Sequence, residues 1–70
     1  MDSGINVREL RAEMARNEIT QHELAFLVGL SKSGLWKKIT GQNSFTLDEV
    51  RKIRDVLSLD DESIHNIFLI

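Results

Sequence analysis

Residues 21–40 read QHELAFLVGLSKSGLWKKIT, and the rest of the chain is organised around them. Leu24, Ala25 and Val28 recur at the three- and four-residue spacing of one helix face, and Leu30, Leu35 and Ile39 continue an inward face further on. Gly29 lies between the two sets. Glycine enters the left-handed conformation that ends helices without a steric cost, so the first helix is expected to stop there. Ser31 then offers a hydroxyl to cap the next helix. The pattern predicts a helix over 21–28, a three-residue turn, and a second helix over 32–40.

Two short helices about a glycine turn are the pattern of the helix-turn-helix. The block TQHELAFLVGLSKSGL (20–35) resembles the phage repressor and Cro type, the XRE-like group. Gln21, the Leu24–Ala25 pair, Gly29, Ser31 and Leu35 fall where that group's pattern puts them, and Gly41 fits its glycine after the recognition helix. The resemblance runs over roughly residues 7–59. It implies an all-α, lambda-repressor-like DNA-binding domain, a compact bundle of five short helices. It also implies double-stranded operator DNA as the partner, with two chains commonly acting as a homodimer on a two-fold site.

Seventy residues allow one domain with a small core, so every helix must contribute apolar surface. There is no cysteine, hence no disulfide or thiolate metal site, and His22 and His65 lack a metal-ligand spacing. No cofactor or metal is expected. Nor is an enzyme, because neither histidine has a nucleophile and carboxylate set around it by motif. The longest apolar runs span only a few residues, so no membrane span or leader is expected, and the cytoplasm of a bacterial host is the expected location. Proline is absent and strand-like alternation is scarce.

The net charge of −2 runs against the usual basic footprint of a DNA binder. Its distribution is more favourable. Between Leu24 and Leu47 there is no acidic residue, while Lys32, Lys37 and Lys38 all fall there; Asp55, Asp60, Asp61 and Glu62 gather near the other end.

Asn6 with Glu9 three residues on signals a helix start, with Val7, Leu10 and Met14 as its apolar stripe over 7–17. Thr20 with Glu23 and Thr46 with Glu49 are capping boxes, opening helices at 21 and at 47–57. In the latter, Leu47, Val50, Ile53 and Leu57 repeat at helical spacing. A fifth helix is expected over 61–68, where Ile64, Ile67 and Phe68, with Ile70, make a strongly apolar end. These either close the core or form a self-association surface. The segment TGQNSF (40–45) reads as a loop with Phe45 as core anchor.

Helical rotation of about 100° per residue assigns the faces of the second motif helix. With Leu35 inward, Ser33 and Lys37 lie opposite, Trp36 is on the flank, and Lys32 projects from the first turn. Recognition helices put their N-terminal residues into the major groove, so Lys32, Ser33, Trp36 and Lys37 are the base-reading candidates. Lysine donates to guanine O6 and N7, serine pairs with several base edges, and an indole can meet a thymine methyl or the sugars. Gln21 at a helix N-terminus is placed for phosphate, as the resemblance also implies. Thr40, Gly41, Gln42 and Asn43 would offer N–H and side-chain donors to the same strand, and Lys38 would reach a phosphate while its stem covers the core. Lys38 also departs from the group's pattern, which has an apolar residue there and a polar one next. Gly34 inside a helix either admits close approach of the duplex or is a tolerated imperfection.

Phe26 points away from the core face of its helix and needs a cover, from this domain or from a partner. With Trp36 it supports a second reading: a small modulator or antirepressor binding a phage repressor's DNA-reading domain by protein contacts.

Overall fold

The computed structural model describes residues 5–69. Five helices follow in order: α1 (Val7–Arg16), α2 (Gln21–Val28), α3 (Lys32–Ile39), α4 (Leu47–Leu57) and α5 (Asp61–Phe68), with no strand among the described residues. The all-α bundle of five short helices is the observed fold. The α1 and α3 helices each end one residue before their expected ends, because Asn17 and Thr40 are caps.

Every helix starts on a side-chain cap. The side-chain oxygens of Asn6, Thr20, Ser31, Thr46 and Asp60 accept from the N–H groups of Glu9, Glu23, Gly34, Glu49 and Ser63, at 2.8–3.3 Å. In α2 and α4 the glutamate returns the bond: Thr20 N–H donates to Glu23 Oε1, and Thr46 N–H to Glu49 Oε1, both at 2.9 Å. These bonds favour the ionised acids. The Thr20 N–H holds the Glu23 carboxyl below its ordinary range, and the Ser63 N–H does the same for Asp60. A depressed native value stabilises the fold above the unfolded pKa, and that stability is lost as pH falls through the native one. Thermal midpoints should therefore be flat near neutrality and fall from about pH 4 downward. A midpoint that rises on acidification contradicts this capping role.

All five helices close on a left-handed residue, and after α1, α2, α3 and α4 Schellman bonding satisfies the last carbonyls. For α2 the residue is Gly29 (φ 78°), with Leu30 N–H donating to Ala25 O; for α3 it is Gly41 (φ 89°), with Gln42 N–H donating to Lys37 O. The other three are not glycine: Glu18 (φ 56°) after α1, Ser58 (φ 53°) after α4 and Leu69 (φ 59°) after α5. Left-handed backbone costs a non-glycine residue about 1–2 kcal/mol, offset in part by glycine's looser unfolded chain. Ser58→Gly should raise stability by about 0.5–1 kcal/mol in chemical denaturation. A loss would show that the Ser58 side chain itself stabilises the turn.

Leu10, Leu24, Leu35, Ile53, Leu57 and Ile67 are fully buried, so each of the five helices gives the centre at least one large residue. The α2 helix packs on α3 and α4, while α5 packs on α1 and α4. Phe45, expected as an anchor, meets Phe68 edge to face with ring centroids 5.4 Å apart. Two polar ties join distant parts: Asn6 N–H donates to Ile67 O at 2.6 Å, and Asn17 Nδ2 donates to Leu57 O at 3.1 Å. No helix among the described residues is long and apolar enough to cross a membrane.

One expectation is corrected and two alternatives left by the sequence are narrowed. Ile67 and Phe68 are buried and Ile64 packs partly buried against the core, so α5 closes the bundle and does not present them for self-association; Ile70 lies outside the described residues. Leu47 is 62% exposed, because at the first position of α4 it lies about 90° from the centre of the Val50–Ile53–Leu57 stripe. Phe26 gains no cover from the rest of the domain and stands 81% exposed.

Candidate nucleic-acid interface

The α2–turn–α3 unit brings two helix N-termini to one side. Gln21, the first residue of α2, joins Lys32, Ser33 and Trp36 of α3 around one shallow depression. Lys32 and Ser33 sit four and three residues before Trp36, the spacing that stacks side chains on one helix face. The indole is 46% exposed, forming one wall, while Lys32 and Ser33 are exposed. No lining residue is acidic. Four of the candidates, from two different helices, are therefore neighbours.

Lys37 stays outside the depression, exposed one turn beyond Ser33. Among the described residues neither Lys32 nor Lys37 shares in an ion pair, unlike Arg16–Glu13, Lys38–Glu49, Lys52–Asp48 and Arg54–Asp55.

Lys38 behaves differently from its neighbours. Its Nζ donates to Glu49 Oε1 at 2.8 Å and to the Ser44 carbonyl at 3.0 Å, and its side chain keeps only 14% exposure. Two of the three donors of the ammonium expected at a phosphate are thus engaged inside the domain. Ile39 takes the core position, one 100° step on, and leaves Lys38 at the α3–α4 edge, where Glu49 meets it. Burial pushes the Glu49 carboxyl up, but the bonds from Lys38 and from the Thr46 N–H prevail and hold it below its ordinary range.

The 40–43 segment also offers less than expected. The N–H groups of Thr40, Gly41, Gln42 and Asn43 donate to the carbonyls of Trp36, Lys38, Lys37 and Lys37. The Schellman closure on Gly41 uses the very donors assigned to phosphate. The Thr40 hydroxyl donates to Trp36 O, and Gln42 Nε2 to Thr40 Oγ1. What this segment presents outward is the Asn43 side chain and the second Gln42 amide hydrogen.

Protein-family models and curated proteins yield no match to this chain. Local geometry therefore carries the reading. Gly34, left open by the sequence, has a definite local role: a Cβ there would sit 2.9 Å from the Ser31 hydroxyl that caps α3. The missing side chain makes room for the cap at the end of α3 nearest the depression.

Sequence reasoning missed Leu27. It is half exposed and joins His22, Glu23 and Phe26 around a second surface hollow on the outer side of α2. Its place was available from periodicity, since it lies about 110° from the centre of the Leu24–Ala25–Val28 face.

Proposed function

We propose that this chain is a sequence-specific DNA-binding regulator of the phage Cro or repressor type, acting in a bacterial host with α3 in the major groove of an operator. The observation that carries this is the convergence of Gln21, Lys32, Ser33 and Trp36 on one acid-free depression beside the α2 and α3 N-termini. Donors there match what base edges and phosphates accept. No catalytic or cofactor role is part of this reading.

The test is a selection from a random duplex pool followed by anisotropy titrations between 50 and 200 mM salt. Lys32, Lys37 and the α2 N-terminus neutralise few phosphates, so log affinity should fall with log salt at a slope of about −2 to −3 per subunit. A pool that yields no consensus, or no binding at 50 mM salt, overturns the proposal.

Phe26 and Leu27 favour a second reading. An exposed phenylalanine beside a half-exposed leucine suits a protein contact, and supports a modulator that binds a phage repressor's DNA-reading domain. In that case the chain should abolish a repressor's gel shift without shifting DNA itself, and Phe26→Ala should cost at least about 2 kcal/mol of that binding.

A further inference from the structure

Two points of the chain converge on one carboxylate, and a third is tied to it through an ammonium. Glu49 Oε1 accepts from Lys38 Nζ and from the Thr46 N–H, while the same ammonium donates to the Ser44 carbonyl. Both charged side chains are largely withdrawn from water, at 14% and 15% exposure. The other end of the segment is tied by the Gln42 and Asn43 N–H groups to Lys37 O. Residues 40–46, which adjoin α3, are thus fastened at both ends by bonds to residues 36, 37, 38 and 49, with Phe45 set against Phe68 between them. An apolar residue at 38 could pack against α4 but would leave the Ser44 carbonyl without this donor.

We propose that Lys38 and Glu49 are a positioning pair for DNA binding. They hold segment 40–46 in its binding-competent shape beside α3 and set affinity by preorganisation, with no phosphate contact from Lys38. This rests on the DNA reading above. A segment that must order on binding lowers apparent affinity by the fraction of time it is competent.

The test uses Lys38→Met, which removes the ammonium, and Glu49→Gln, whose amide oxygen can still accept from the Thr46 N–H. Both are titrated against the selected duplex at matched folded fraction, with amide hydrogen exchange followed at Gln42 and Asn43. Both variants should bind about three- to tenfold more weakly. The salt slope should stay that of the unsubstituted chain, and exchange at the two amides should quicken. Glu49→Gln is the more telling, because losing a negative charge would by itself tighten binding to DNA.

If Glu49→Gln tightens binding and Lys38→Met flattens the slope by about one unit, Lys38 is a phosphate ligand and the inference is wrong. Faster exchange with unchanged affinity makes the pair purely structural and also overturns it. Failure of the unsubstituted chain to bind any duplex overturns the DNA reading, and this inference with it.

Discussion

Leu35→Ala is expected to lose about 2–5 kcal/mol, the range for large-to-small changes at fully buried sites. The Leu35 side chain has no exposure and lies where α3 meets the core. A chain of seventy residues has roughly 4–10 kcal/mol of stability to lose. The substitution therefore removes a large share of it, and the thermal midpoint should drop by roughly 4–8 °C for each kcal/mol. Trp36→Ala, one residue away but half exposed, should cost much less. Equal losses in urea denaturation would mean that the indole and not Leu35 anchors α3, and the proposed reading face would have to be redrawn.

On the proposed DNA reading, Ser33→Ala and Lys32→Ala should give the largest effects on duplex binding. Each is expected to cost about 1–3 kcal/mol of discrimination at one base pair, because both stand exposed in the first turn of α3. Lys37→Ala should act chiefly on the salt slope, reducing it by about one unit while leaving base preference intact, since its residue lies outside the depression. The readout is affinity for the selected duplex and for its single-base variants. If Ser33→Ala weakens all duplexes equally, Ser33 touches backbone and the base-reading face lies elsewhere on α3.

Helix starts were legible in the sequence because capping is local. Thr20 with Glu23 and Thr46 with Glu49 need only a three-residue separation, and both boxes formed. Contacts between helices were less so. The Lys38–Glu49 pair spans eleven positions and depends on the angle at which α3 lies on α4, which no spacing rule supplies. The burial of Ile67 and Phe68 likewise depends on where α5 docks. One miss was avoidable. A glycine two residues beyond Ile39 foretells a Schellman closure, and that closure takes up the N–H groups of residues 41 and 42. The candidate reading face was legible to the extent that Ser33, Lys32 and Trp36 were placed by helical rotation, and Gln21 by its helix terminus.

The bond from Asn6 N–H to Ile67 O has a consequence in time. It joins opposite ends of the described chain, where α1 packs on α5. Pairing of α2 with α3 spans a short stretch and closes cheaply, whereas bringing residue 6 to residue 67 closes nearly the whole chain. The α1–α5 seam is therefore expected to form after the folding barrier, so weakening it should quicken unfolding and leave refolding almost untouched. Ile67→Val, followed by stopped-flow mixing, would expose the opposite behaviour as slowed refolding. On this account the seam sets how long each molecule stays folded, while the proposed DNA-reading unit folds early and locally.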